Sequence, residues 1–152
     1  MSARVLPNTG DGPGGPPLVL PLGHPSASDV GAAGAKGAGL ARARAAGLPV
    51  PDGFVVSPEA SAAALAHAEA QMQARGSGGA RMAIIGCDLE PGLTEAMTAA
   101  AQDLPEPLIV RSSSILEGSG EWSGAFTSVP EVRHDEIGKA AKSVWASCYS
   151  LE

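Results

Sequence analysis

The sequence lacks the residues that mark several common classes of protein. Its two cysteines, Cys87 and Cys148, lie too far apart for a metal-binding or redox motif, so we interpret both as reduced, partly buried thiols of a cytoplasmic protein. No apolar run approaches the length of a membrane span. The N-terminus also lacks the basic start and the long apolar centre of a secretory signal.

Basic residues and large apolar residues are scarce as well. Ten lysines and arginines face sixteen acidic residues, for a net charge of −6, and the cations form no stripe. This excludes the sequence-independent nucleic-acid binding that clustered cations support. The hydrophobic fraction of 44% relies on alanine, and the mean hydropathy of +0.09 disfavours full disorder. We therefore predict a small, marginally packed domain.

The composition divides the chain into two parts. Residues 1–17 are rich in proline and glycine without periodicity, which predicts a disordered leader. Residues 18–152 predict one domain of the α+β (α/β) class. It starts with a short edge strand at 18–22 and continues as helix, strand, helix, helix, strand, strand and helix.

Local signals set the boundaries in the first half of this domain. A helix runs from Lys36 to a glycine cap at Gly47, and "GFVVS" follows as a strand. Ser57 is placed to cap the next helix, which "RGSGG" at 75–79 ends with a loop. Residues 81–87 fit either a strand or a buried helical turn.

The second half continues with a helix over 92–104 and a strand in "PLIVRSS". A Gly/Ser loop at 117–124 leads to a second strand, "AFTSVPEV". The final helix is capped by Asp135 and carries one apolar stripe, formed by Ile137, Ala141, Val144, Trp145 and Cys148. We expect the partners of this stripe to lie partly beyond residue 152, which would leave an apolar face exposed for self-association.

The stretch "VGAAGAKGAGL" at 30–40 places a lysine among glycines. It is not a Walker loop, because the order is Ala35-Lys36-Gly37, and it lacks the G-x-G-x-x-G pattern. Two interpretations remain open. The stretch is either a spacer or tight turn, or a loop that brings a ligand against the backbone and against a helix N-terminus that favours anions.

The stretch "LIVRSSS" places Arg111 at the end of a predicted strand. Its guanidinium can bind a phosphate through two hydrogen bonds, and the flanking serine hydroxyls add donors. An ion pair with a surface carboxylate such as Glu117 fits the sequence equally well. The following loop, around Glu121 and Trp122, either closes over a ligand or is an exposed linker.

Other catalytic and metal-binding arrangements find no support. The histidines His24, His67 and His134 have no zinc-ligand spacing, and Ser112–Ser114 have no G-x-S-x-G setting.

Three segments together resemble a known family. They are "GAKGAGLARARAAGLPVPDGFVVSPEA", "LIVRSSSILEGSGEWSGAFTSVPEV" and "IGKAAKSVWASCYS". In order and spacing they are similar to the ATP-binding domain of pyruvate phosphate dikinase and phosphoenolpyruvate synthase, which also occurs in rifamycin phosphotransferases and glucan water dikinases. The resemblance covers roughly residues 18 to 150.

This resemblance implies the first lobe of an ATP-grasp nucleotide-binding domain, without its second lobe. Lys36 would contact the ATP phosphates, and Arg111 would be the catalytic residue that stabilises charge on the transferring phosphoryl group. Ser128 stands where many members have a threonine near the phosphates. Mg²⁺ would accompany the nucleotide, with ligands from the missing lobe.

The resemblance also implies a function. Complete members transfer phosphate from ATP through a phosphohistidine to pyruvate or another acceptor, but none of the three histidines here matches the phosphorylated one. We therefore expect a lobe that is inactive alone and needs a C-terminal lobe or a complementary chain.

This sequence departs from the family pattern at several places. Ala35 replaces a glycine, "ILEGSGEW" replaces an acidic stretch, and "GAFTS" replaces a glutamine-rich one. These losses of polar groups support the alternative of a non-catalytic remnant that acts as a small interaction or regulatory module.

Overall fold

The described residues form four α-helices and two small antiparallel sheets. The computed structural model describes residues 17–114 and 127–149. The elements, in chain order, are β1 Val19–Pro21, α1 Val30–Ala45, β2 Phe54–Val56, α2 Pro58–Gly86, α3 Pro91–Ala101, β3 Leu108–Arg111, β4 Ser128–Val132 and α4 Ile137–Ser147. This content confirms the predicted α+β class.

Within residues 17–114 and 127–149, each sheet contains two strands. β1 pairs with β2, with Leu20 opposite Val55, which confirms the predicted edge strand and the "GFVVS" strand. β3 pairs with β4, with Arg111 opposite Ser128 and an irregularity in register between Leu108 and Val110. The start of the predicted strand "AFTSVPEV" lies outside the described residues.

The main core lies between the β3–β4 sheet and helices α3 and α4. Its buried members are Leu93, Met97, Ala101, Val132, Ile137, Ala140 and Ala141. On α4, both Ile137 and Val144 are buried, whereas Cys148 at its end is exposed. The described part of the chain therefore already covers most of the stripe that we expected to need partners beyond residue 152.

Helix α2 differs from the prediction. The expected loop at 75–79 is wrong, because only Gly76 leaves helical geometry, with φ 71° and ψ −169°. Glycine adopts such a positive φ without a steric penalty. The helix bends sharply there, so a Cβ on Gly79 would stand 3.2 Å from the carbonyl oxygen of Gln71. The ambiguous residues 81–86 belong to this helix.

A second apolar cluster holds the bent helix against α4. Ala68 comes from before the bend, Ala80 and Ile84 from after it, and Ala146 from α4. The Lys142 ammonium of α4 also donates to the carbonyl oxygens of Ile85, at 3.1 Å, and Cys87, at 2.9 Å.

The predicted helix caps are confirmed only in part. Gly47 has a φ of 83° directly after α1, as expected of a glycine cap. Ser57 occupies the N-cap position of α2, but its hydroxyl makes no cap hydrogen bond and is buried without a partner. The Asp135 cap is wrong, because its carboxylate binds Arg133 instead, and α4 begins after a 3₁₀ turn at His134–Glu136.

Among the described residues, no helix has both the length and the apolar character that crossing a bilayer requires.

Candidate nucleotide-phosphate site

Lys36 lies just after a break inside helix α1. The helix begins at Val30, earlier than predicted, because Asp29 caps it by accepting a hydrogen bond from the Gly31 amide at 3.0 Å. At Gly34 the backbone leaves helical geometry, with φ 71° and ψ 173°, and the helix then resumes. Lys36 is thus near the start of a helical segment, as predicted, and it is partly buried.

Two glycines beside Lys36 are required by close packing. A Cβ on Gly34 would overlap the backbone carbonyl of Ser113, and one on Gly37 would stand 2.9 Å from Cγ2 of Val55. Real Cβ atoms essentially never approach so closely. The glycines therefore permit a tightly packed turn and do not form a flexible spacer. The groups that pack against the backbone at these glycines belong to other segments of the chain.

Ser113 joins this turn to the end of β3. Its hydroxyl donates to the carbonyl oxygen of Ala33 at 2.6 Å and accepts from the amide of Gly37 at 2.9 Å. The Ala35 amide also donates to the carbonyl oxygen of Ser114 at 3.1 Å. We call these three hydrogen bonds the clasp.

The clasp revises two expectations about phosphate binding. The Ser113 hydroxyl, which we expected to be a phosphate donor, is already engaged with the backbone of α1 on both sides of Lys36. The amides of Ala35 and Gly37, at the start of the resumed helix, are bonded to the 113–114 segment and are not free for an anion. The cationic side chains remain as the groups that can recognise phosphate.

Arg111 is the last residue of β3 and lies on its exposed face. Leu108 and Val110 pack against the core, whereas Ile109 and Arg111 are exposed, as strand alternation requires. Within the described residues, Arg111 forms no ion pair. The proposed alternative partner, Glu117, lies outside the described residues.

The three predicted site residues come from segments that the structure joins directly. Ser128 is the register partner of Arg111 across the β3–β4 pair. Two residues after Arg111, Ser113 bonds to α1 on both sides of Lys36. An ammonium, a guanidinium and a hydroxyl are therefore borne by adjoining segments, and together they offer donors suited to phosphate oxygens.

The other polar features of the fold lie elsewhere. A pocket of about 150 Å³ is lined by His67, Cys87 and Asp88, among others, and one of about 280 Å³ lies between His24 and Arg44. Neither includes a predicted site residue. The described residues contain no group of three side chains able to hold a metal ion.

Two groups with shifted pKa values also lie away from the site. Burial, with a contribution from Glu69, raises the pKa of Tyr149, and the neighbouring Asp135 carboxylate raises the pKa of Arg133.

The loop around Glu121 and Trp122, which we expected either to close over a ligand or to be a linker, lies outside the described residues.

Comparison with known proteins identifies the family. A search of curated proteins gives no match. The family of the pyruvate phosphate dikinase AMP/ATP-binding domain matches residues 30–152, a range that contains Lys36, Arg111 and Ser128. This match covers most of the chain and confirms the resemblance drawn from its motifs. The chain belongs to the pyruvate phosphate dikinase AMP/ATP-binding domain family.

Proposed function

We propose that this chain binds the phosphates of ATP through Lys36, Arg111 and Ser128, as the first lobe of a cytoplasmic phosphotransferase. The phosphoryl group would pass from ATP through a phosphohistidine to pyruvate or another acceptor. The observation that carries the proposal is the clasp, which ties the Lys36 turn to the strand end that bears Arg111. Residues 18–152 would form this lobe, and residues 1–17 a leader.

The two cations have different roles in this proposal. The planar guanidinium of Arg111 can hold two oxygens of one phosphate, which suits it to charge stabilisation during phosphoryl transfer. The Lys36 ammonium acts as a compact charge against neighbouring phosphate oxygens. The protein carries a net charge of −6, so these local cations must offset its repulsion of ATP.

Magnesium enters the proposal with the nucleotide. Neither Lys36 nor Arg111 can ligate a cation, so these two side chains fit phosphate and not the metal. The ion would be held by the nucleotide phosphates and by groups supplied from a second lobe. When bound, it would neutralise charge on the transferred phosphate.

The open geometry of the surface predicts weak binding by this chain alone. Arg111 is exposed, so its interaction with phosphate is screened by water. A second lobe that covered the surface would exclude water and strengthen these contacts. We therefore expect no steady ATP hydrolysis by the isolated chain, and tighter binding when a second ATP-grasp lobe is added.

A titration with Mg-ATP tests the proposal. Amide chemical shifts of residues 34–37 and 111–114 would be followed in the chain alone and with an added second lobe. Lys36→Ala and Arg111→Ala should each weaken binding about tenfold or more, as expected for charge-assisted hydrogen bonds. Lys139→Ala, which removes an exposed lysine on α4, is the matched control and should bind as the wild type does.

Two results would contradict the proposal. Equal affinities for Mg-ATP in the wild type and a Lys36→Ala/Arg111→Ala variant would show that these two side chains do not bind the phosphates. Sustained hydrolysis of ATP by the isolated chain would show that no second lobe is needed.

The alternative, a non-catalytic interaction module, is favoured by the exposed apolar side chains on the second half of α2. Met82 is 69% exposed and Ile85 is 47% exposed. In this alternative the chain would self-associate through these residues and give no response to ATP. Sedimentation of the wild type and of Met82→Ser/Ile85→Ser over a range of concentrations tests this self-association, and the Mg-ATP titration separates the alternative from the first proposal.

A further inference from the structure

We propose that Ser113 is a positioning residue that sets the distance between the two phosphate-binding cations. This inference rests on the proposed function, since it concerns how that same surface is held. Ser113 touches no nucleotide phosphate in this arrangement. It acts through Lys36, on one side, and through Arg111, on the other.

The hydrogen bonds of Ser113 suit it to position the Lys36 turn relative to β3. Its hydroxyl uses both its donor and its acceptor on α1, to Ala33 and to Gly37, which flank Lys36. The accepting carbonyl of Ala33 lies 80 residues away in the chain, and the donating amide of Gly37 lies 76 residues away. Two directed bonds from one side chain fix the orientation of the α1 turn as well as its distance from β3.

The backbone around Lys36 needs this restraint. Gly34 has a positive φ and lies against the Ser113 backbone, so the turn combines a residue of high conformational freedom with a close contact. Without the hydroxyl, the Ala33 carbonyl and the Gly37 amide would lose their long-range hydrogen-bond partner in β3's C-terminal extension, Ser113. The Lys36 turn could then sample other conformations, and part of the binding free energy would be spent on ordering it.

The first readout needs no nucleotide. In Ser113→Ala, the Gly37 amide should exchange its hydrogen at least about tenfold faster than in the wild type, because its acceptor is gone. The amides of α3 in the main core should keep their exchange rates. Uniformly faster exchange would indicate general loosening of the fold and would overturn a specific role.

The second readout is Mg-ATP affinity measured with the second lobe present. Ser113→Ala should weaken binding about tenfold, the effect of losing one or two hydrogen bonds. In a Lys36→Ala/Arg111→Ala background the same change should have little further effect, because there are no cations left to position. Ser113→Thr, which keeps the hydroxyl, should restore affinity, and Ser113→Cys should fall between.

The matched control is Ser143→Ala. Its hydroxyl donates to the Lys139 carbonyl oxygen within α4, at 3.1 Å, so its loss removes a hydrogen bond of similar type away from the site. Nucleotide affinity should not change. Wild-type affinity in Ser113→Ala, or an additive loss in the variant without cations, would overturn this inference alone. Absence of binding by the wild type would overturn the proposed function itself.

Discussion

Gly34 shows how the absence of a Cβ at one residue determines the shape of the candidate site. Its positive φ belongs to a region that L-residues with a Cβ enter at a cost, and the Ser113 carbonyl occupies the place where that Cβ would lie. The glycine-rich stretch around Lys36 is therefore constrained at this position.

Replacing this glycine should be costly. We expect Gly34→Ala to lower the free energy of unfolding by about 2–4 kcal/mol, since backbone strain and a steric overlap add. Gly39→Ala is the matched control, because Gly39 has no neighbour within 4 Å of its Cβ position and no positive φ. That change should be neutral or stabilise by up to about 1 kcal/mol. Urea denaturation of both variants measures the difference; equal stabilities would contradict the structure of this turn.

The sequence allowed part of the site to be predicted at the residue scale. Arg111 ends a strand as the local pattern predicts, whereas Lys36 lies inside α1, after the break at Gly34, and not at the first turn of the helix. The engagement of Ser113 could not be predicted, because it depends on contacts 76 and 80 residues away. The spacing of Gly34 and Gly37 was the available signal, since small residues permit such a close approach.

At the scale of elements, helix α2 is held at its far end by a side chain of α4. The Lys142 ammonium donates to two carbonyl oxygens at the C-terminus of α2, where the helix dipole favours a cation. This contact joins the two helices beyond what their apolar cluster provides.

Removing this ammonium should destabilise the α2–α4 pair. We expect Lys142→Met, which keeps the aliphatic stem, to lower the free energy of unfolding by about 1 kcal/mol. Lys139→Met on the same helix, exposed to solvent, should have an effect within about 0.5 kcal/mol. Thermal unfolding followed by circular dichroism compares them, and an equal effect of both changes would argue against the cap.

Two predictions about secondary-structure elements were wrong because the residue types present did not determine the backbone conformation. "RGSGG" contains the residues of a loop, yet one glycine with a positive φ suffices to bend α2 while helical hydrogen bonding resumes after it. Asp135 stands at a suitable cap position, but a closer cation, Arg133, binds its carboxylate at 2.8 Å. In the first case the conformation of one glycine decided the structure, and in the second case an ion pair with a neighbouring residue did.

At the scale of the whole molecule, the α+β class was predictable because hydrophobic periodicity and turn residues are local properties. The pairing of strands was not, because nothing local specifies that β1 pairs with β2 and β3 with β4. The small core also explains why alanine is abundant. In the described residues a third apolar cluster contains Leu22, Ala27 and Ala41, and eight of the fourteen buried residues of the three clusters are alanines, at which elements approach closely.

Stability of the whole fold should fall in alkaline solution through Tyr149. Its pKa is raised by burial against the α2–α4 cluster, so the folded state retains the phenol proton more strongly than the unfolded state. The contribution is complete below the ordinary tyrosine pKa of about 10 and is lost as the pH rises through the raised value. We expect Tyr149→Phe to show a smaller loss of thermal stability than the wild type as the pH rises above about 10. Parallel curves would contradict this assignment.

The clasp also has a consequence for the order in which the protein folds. It closes a loop of some 80 residues, and so long a loop is entropically expensive to close before other contacts have formed. Helix α1 can form early from local contacts, but the hydrogen bonds that Ser113 makes on both sides of Lys36 require the end of β3 to be in place. We therefore expect the Lys36 turn to reach its final arrangement late in folding, and a nascent chain that ends before β3 would carry the lysine without the segment that holds its turn.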